Sequence, residues 1–407
     1  MSANLWRNWV GNQACSPSAI AVPGSEDEIA SLVVAAEGRG EGVRVAAAGH
    51  SFTPLVATDG LLLDLRNLRG VRSIDAARRR AVAGPATTVG DFGDPLWAEG
   101  LALENQGDID TQQIAGAVAT ATHGSGLALG SFSATVRRVR LVTGGGRVIE
   151  IGEAEPDLLH AAQVAVCMLG VITDLELEVV PAHRLRERIE HWSFANAWER
   201  FDEMARAHRH FSFFWLPSEQ SAALYDLRVP DAVTLADTCF VKIYDEADPE
   251  QPDAATPGAR VDRSYRIYPA VFQPNFYELE YFVPYDRGRE AIAAMRELML
   301  AALPLSVFPL EVRTVARDEA FLSHSHGRDS VVLSVSGMPG TAYDPYLRGV
   351  DRLLGEFDAR VHWGKLHFLT REQLLARYPA AERFIEIRRE LDPAGTFLND
   401  HLRPLFQ

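Results

Sequence analysis

The chain is poor in the features that would staple it, anchor it or couple it to a highly charged partner. Three cysteines (Cys15, Cys167, Cys239) are scattered over 407 residues without CxxC or metal-ligand spacing. That argues against a disulfide framework and fits reduced thiols in a cytoplasm. No apolar run reaches ~20 residues, which removes a spanning helix and leaves only peripheral membrane attachment open. The stretch from Met1 to Trp9 has neither the charged start nor the apolar core of a signal peptide. Basic residues are outnumbered, 40 against 55 acidic, for a formal net charge of −15. No basic patch is present to neutralise the phosphates of a nucleic acid. Repeats and low-complexity tracts are absent, and so is a GxGxxG fingerprint after a strand. Gly144-Gly145-Gly146 reads as a hairpin turn and Gly124-x-Gly126 lacks the spacing, which disfavours a nicotinamide site.

What remains has the composition of a globular protein, 47% hydrophobic and 23% charged, and is long enough for two domains. Over the first 180 residues short strands alternate with helices. Ser25 and Glu28 form a capping box ahead of Ile29, Leu32, Val33 and Ala36, which share one helix face. Val43 to Val45 reads as a strand entering a small-residue loop, and Leu61 to Leu65 as the buried strand after it. Arg138 to Thr143 and Arg147 to Ile151 form a hairpin, Leu169 to Val180 another strand, and Pro181 a boundary. Beyond 182 come aromatic strands (Phe211 to Leu216, Phe240 to Tyr244, Phe276 to Val283), a loop from Asp248 to Arg260, and amphipathic helices near 286–302 and 344–359. Strands grouped with strands predict an α+β second domain with a mostly antiparallel sheet flanked by helices. Leu391 to Asp400 reads as a turn and tail.

Three stretches carry chemistry. In Val45-Ala46-Ala47-Ala48-Gly49-His50-Ser51, small side chains let backbone amides face a phosphate closely, and a histidine projects from the loop. Taken alone, His50 also reads as a loop-capping histidine. Gln106-Gly107-Asp108 through Gln113 and Gly116 to Thr120-Ala121-Thr122-His123-Gly124 is small where a chain must lie against a flat ring. Thr120, Thr122 and Ser125 can offer donors, and His123 also reads as a core histidine. The third is His362-Trp363-Gly364-Lys365. Alternation over Val361 to His367 puts Trp363 and Lys365 on one strand face and His362 and Gly364 on the other.

Together these resemble FAD flavoproteins of the vanillyl-alcohol-oxidase (PCMH) type, and within them the sugar-1,4-lactone oxidases and the related alditol oxidases, over nearly the whole length. The resemblance implies a two-subdomain FAD-binding domain over 1–181, a substrate-binding cap over 182–375, and a tail over 376–407 returning to the first domain. It implies FAD on the Val45 to Ser51 loop, tethered covalently to His50 through the flavin 8α-methyl group. Such a bond needs a neutral imidazole and raises the flavin's reduction potential. Gly107, Asp108, Gln113, Gly116, Thr120, Ala121, Thr122, His123 and Ile172 complete the cofactor site. Gly107 falls beside flavin C4a, where a glycine leaves oxygen an approach. Some relatives with a similar segment instead pass electrons to cytochrome c.

On the substrate side, alternation places Glu311 and Arg313 on one face of a strand. They read as an ordinary surface ion pair or, by the resemblance, as groups facing the flavin. There Arg313 donates to a substrate oxygen and Glu311 accepts a hydroxyl proton. Lys365 is implied near flavin N1/N5 or a substrate hydroxyl. Ser334 and Ser336 read either as solvent-facing serines or as substrate contacts, with Asp108 alongside. Catalysis is thus expected from Glu311, Arg313 and Lys365, on a sugar lactone (L-gulono-, L-galactono- or D-arabinono-1,4-lactone), with O2 as acceptor and no metal. Arg377-Tyr378-Pro379, Phe384, Leu391-Asp392-Pro393 and Phe397 look more like the lactone group than the alditol oxidases. A lactone dehydrogenase and a non-enzymatic binding module are the remaining alternatives.

Overall fold

The computed structural model describes residues 4–270, 273 and 275–407, so the first three of the N-terminal residues read above lie outside it. Three sheets position the site. Ala19–Ala21, Leu61–Asp64 and Val43–Ala46 form a parallel sheet with Leu61–Asp64 in the centre. The helix Glu26–Gly38 buries Ile29, Val33 and Ala36 at its edge. Its cap differs from the expected box in one arm. Ser25 Oγ accepts from Glu28 N at 3.3 Å, but the Glu28 carboxylate reaches Gly24 N (2.8 Å) rather than Ser25. The expected hairpin is present as Val136–Val142 with Val148–Gly152. It continues through Val171–Glu178, Arg80–Ala83 and Val71–Asp75 into a five-stranded antiparallel sheet.

The third sheet has eight strands: β1 (Arg184–Ser193), β2 (His210–Leu216), β3 (Thr238–Glu246), β4 (Val261–Arg263), β5 (Tyr277–Pro284), β6 (Leu310–Val315), β7 (Ser330–Gly337) and β8 (Arg360–Val361). Their order is β4-β1-β3-β2-β6-β7-β5-β8, and every pairing is antiparallel. The period of two divides this sheet cleanly. Val241, Phe213, Val312, Leu333 and Tyr281 form one apolar face, covered by the helices Phe194–Ala207, Gly288–Ala301 and Asp344–Gly355. Lys242, Arg313, Glu311, Ser334, Glu278 and Glu280 line the other. Charged groups buried on a sheet face must be paired or face a ligand. This face turns toward the N-terminal half.

The C-terminal residues contain the helices Arg371–Arg377, Ala381–Leu391 and Arg403–Phe406, which were not anticipated there. After them the chain returns to the parallel sheet. Val43 N donates to Thr396 O, and the buried Arg44 guanidinium donates to Phe397 O, Leu55 O and Val166 O. Asn399 Nδ2 donates to Pro54 O and Ala57 O.

Candidate active site

A cleft runs between the Val45 to Ser51 loop and the polar face of the eight-stranded sheet. Val45, Ala47, Ala48, Gly49, His50 and Ser51 line one end. Gly107, Asp108, Gln113, Gly116, Thr120, Thr122, His123 and Ile172 line the middle, and Glu311, Arg313 and Lys365 the far wall. Ala46 and Ala121 are buried behind this surface. Ser334 and Ser336 do not line the cleft among the described residues. They are buried, not solvent-facing, and act one layer back: Ser334 Oγ donates to Glu278 Oε1 at 2.5 Å, and Ser336 Oγ meets the Tyr225 hydroxyl at 2.8 Å.

The loop suits a dinucleotide phosphate. The amides of Ala48, Gly49, His50 and Ser51 have no acceptor among the described residues. Four successive N–H groups left open face water or an anion. The walls are small where a flat ring must lie close: a Cβ added at Gly116 would stand 3.2 Å from Ala47 Cβ, and one at Gly364 3.2 Å from Ser51 Oγ. Burial, reinforced by the positive charge of Lys365, pushes the half-buried His50 imidazole down to about 4, so it is neutral at ordinary pH.

Opposite lies a cluster of four charged side chains. Arg313 Nη2 donates to Asp108 Oδ2 at 2.5 Å, and Arg313 Nε to Glu311 Oε1 at 2.6 Å. Lys242 Nζ reaches Asp108 Oδ1 at 3.3 Å. The pair Glu311–Arg313 is therefore internal, not a surface ion pair. Burial raises Glu311 to about 7, a shift the Arg313 charge only partly offsets and the neighbouring Asp108 charge increases. Burial opposes ionisation of Asp108 as well, but Arg313 and Lys242 outweigh it and hold that carboxyl below its usual range. Two carboxyl groups in one cluster are thus set apart, one fully ionised and one poised near neutrality.

The alternation expected over Val361 to His367 is corrected. Only Arg360–Val361 is strand, and the chain then turns, with Lys365 N donating to His362 O at 3.0 Å. Trp363 and Lys365 therefore do not share a face. The indole packs against Tyr378 and Phe406 and donates to Leu322 O, whereas the Lys365 ammonium pairs with Glu278 above the Phe52 ring. A tight turn breaks the period of two, and sequence alternation could not register it.

Glu278, Glu280, Tyr225 and Lys242 belong to the site or its support and were not singled out, and His362, read only as part of the third stretch, lines the cleft with the first three. The signal was present in Tyr277-Glu278-Leu279-Glu280-Tyr281, where acids alternate with buried residues on an interior strand. Glu280 Oε1 lies 2.9 Å from His123 Nε2, while His123 Nδ1 donates to Gly124 O at 2.7 Å. Burial works against the Glu280 charge, but His123 outweighs it and holds the carboxyl well below its usual range. His123, Glu280 and His362 bring donor atoms within 4.8 Å of one another. Their hydrogen bonding suits a proton-linked pair better than a cation. The nitrogen His362 Nδ1 accepts from Gly364 N at 3.0 Å, so its ring hydrogen sits on the other nitrogen, where a metal would need a lone pair.

Residues 17–152 match the family described as FAD binding domain, and residues 229–405 the family described as D-arabinono-1,4-lactone oxidase. L-gulono-1,4-lactone dehydrogenase of Mycobacterium tuberculosis is 35% identical, covering 98% of both chains. The chain belongs to the FAD-dependent sugar-lactone and alditol oxidoreductase family. Another member, the alditol oxidase of a Streptomyces species, is 32% identical over 98% of each chain. Solved structures agree on the fold of this PCMH-type family. Cholesterol oxidase from Brevibacterium sterolicum superposes with TM-score 0.85 at 12% identity, covering 100% of this chain and 97% of that one. For 6-hydroxy-D-nicotine oxidase from Arthrobacter nicotinovorans the TM-score is 0.75 at 20% identity, with 97% and 93% covered. Membership makes the protein an FAD-dependent oxidoreductase acting on sugar-derived alcohols and lactones.

Proposed function

We propose that this protein oxidises an aldono-1,4-lactone (L-gulono-, L-galactono- or D-arabinono-1,4-lactone), with FAD bound covalently through His50 and dioxygen as acceptor, yielding hydrogen peroxide. The convergence of Glu311, Arg313 and Lys365 on the cleft that begins at the His50 loop carries this reading. When bound, the flavin supplies the hydride acceptor. Arg313 donates to the oxygen of the reacting carbinol from a fork that Asp108 and Glu311 hold in place. Glu311 takes the hydroxyl proton, a role suited to a carboxyl poised near 7. Lys365, held by Glu278, keeps a positive charge on the cleft wall, where it would stabilise negative charge on the reduced flavin. His123 and Glu280 close the wall behind them and keep bulk water out.

On this reading the chain divides into an FAD-binding domain 1–181, a cap 182–375 and a returning tail 376–407, and the tail contacts with Val43, Arg44 and Pro54 support the return. No helix among the described residues is long and apolar enough to cross a membrane. The reading places the enzyme in the cytoplasm, acting on a small molecule and not on nucleic acid.

A second reading, a lactone dehydrogenase, is favoured by the name of the relative at 35% identity. Gly107 supports the oxidase. It lines the cleft with no side chain, and the wall beside it, at His123 O and Thr122 Cγ2, stands 3.3 Å from where a Cβ would sit. Peroxide release measured with L-gulono-1,4-lactone and with xylitol, then repeated with cytochrome c as acceptor, tests the assignment. Turnover of the lactone with peroxide supports it, xylitol preference moves the protein to the alditol oxidases, and cytochrome c reduction without peroxide makes it a dehydrogenase. Purified protein that takes up no FAD ends all three.

A further inference from the structure

The N-terminal hairpin, Trp6–Arg7 paired with Ala14–Cys15, has no part in the reading above, yet it grips the outside of the His50 loop. Trp9 N donates to Gly49 O, Asn8 Nδ2 to Ser51 O, and both Asn12 Nδ2 and Gln13 Nε2 to Phe52 O, each at 2.9 Å. Gly49 sits at φ +73°, and a Cβ there would lie 3.5 Å from Asn8 Cα and from the Trp6 ring, so the two segments are in close contact. At the centre of this contact the Trp9 indole stacks on the His50 imidazole, with ring centroids 5.2 Å apart and planes inclined by 28°. Trp9 is itself braced edge-on by Phe52 and Phe276.

The His50 ring makes no hydrogen bond to the described residues. Its plane is therefore set by packing, and the ring stacked on it is Trp9. We propose that Trp9 is the positioning residue for covalent flavin attachment: it presents the His50 imidazole to the cleft in one orientation, and the hairpin exists to hold it there. This rests on the reading that His50 is the attachment point. Attachment makes one C–N bond between an imidazole nitrogen and the 8α-carbon, and breaks one methyl C–H and the imidazole N–H. Two protons leave, and two electrons go to the oxidant that serves turnover, dioxygen or another two-electron acceptor. The bond forms only along one approach, so an imidazole free to rotate reaches it rarely. A flat indole restricts that rotation without offering a proton. Burial keeps the nitrogen unprotonated, with Lys365 adding to the effect.

The test uses freshly purified holoprotein of the wild type, Trp9→Leu, Trp9→Phe and His50→Ala. Acid-resistant flavin fluorescence per mole of protein is followed over time, alongside the flavin that acid releases and the unfolding midpoint. The expected result is an acid-resistant band in the wild type and none in His50→Ala. Trp9→Leu should hold its flavin in acid-releasable form and build the band roughly ten- to a hundredfold more slowly, while Trp9→Phe stays near the wild-type rate. If Trp9→Leu builds the band at the wild-type rate, the inference falls and the role of His50 stands. If the Trp9→Phe rate falls as far as that of Trp9→Leu, or Trp9→Leu loses all flavin and melts early, the residue is structural and the inference falls. A wild type whose flavin is entirely released by acid overturns the attachment reading, and this inference with it.

Discussion

Asp108 and Arg313 meet at 2.5 Å across the cleft, a carboxylate from the N-terminal half holding a guanidinium from the eight-stranded sheet. The same carboxylate also takes Lys242. One side chain thus joins the two halves of the chain, aims the arginine and lowers the cost of burying two cations. Asp108→Asn should remove all three effects. We expect a loss of about 3 kcal/mol in stability, typical of breaking a buried ion pair, and kcat/KM down roughly a hundredfold from a displaced Arg313. Denaturant melts and steady-state kinetics with a lactone check this, and wild-type kinetics in the variant would remove Asp108 from the site.

Glu311 predicts a pH dependence. Its carboxyl lies near 7 instead of the ordinary 4.5, and only the ionised form accepts a proton. The kcat/KM profile of the wild type should rise through about 7 and level off above it. Glu311→Gln should lose the limb and roughly a hundredfold or more in rate. Stability moves the other way. A raised carboxyl favours its protonated form in the fold, so its contribution is complete below 4.5 and is lost as pH climbs through about 7. Urea melts of wild type and variant should therefore converge toward low pH, and a pH-independent difference would contradict the assignment.

Lys365→Met leaves Glu278 without its cation and removes the cleft charge assigned to the flavin under the proposed function. Flavin content should persist while kcat falls about a hundredfold, the scale of losing one preorganised charged donor. Lys365→Arg should recover part of it. Rapid-mixing measurement of flavin bleaching by substrate reads the step directly, and unchanged bleaching would demote the lysine to a packing role.

Arg44→Met probes the scaffold. The buried guanidinium donates to carbonyls of three distant segments, ending at Leu55, Val166 and Phe397. Val166 and Cys167 both adopt left-handed backbone there, at φ 47° and 55°. Losing charge-assisted bonds at this junction should cost on the order of 3 kcal/mol. Tail proteolysis and a lower unfolding midpoint are the readouts.

Gly107→Ala tests the acceptor. The added methyl meets His123 O and Thr122 Cγ2 at 3.3 Å, a clash small shifts can absorb. Reduction by substrate should stay near wild type while reoxidation by dioxygen slows. Equal slowing of both would point to general distortion instead.

Much of this was legible in the chain. The small-residue loop at His50 and the Glu311-x-Arg313 strand depend on residue size and local periodicity, which sequence carries directly, and the family was legible as a resemblance carried by the three motif stretches. Acids alternating through 277–281 were equally readable, because a charge on a strand otherwise buried must face a partner. That Lys365 and Trp363 point apart was not legible, because one turn after Val361 breaks the side-chain pattern. Nor were the roles of Lys242, Glu280 and Trp9, whose partners lie 134, 157 and 41 positions away (Asp108, His123 and His50).

By itself the sequence determined most of the long strands of the second half, which residues are small enough to admit a cofactor, and which charges those strands must present on one side. Those follow from short-range sterics and a period of two. Only the tertiary structure decided which charges neutralise one another, which carboxyl is left poised near neutrality, and which ring lies against His50. Such outcomes depend on distances of a few ångströms between segments remote in sequence, and on burial, which no local pattern contains.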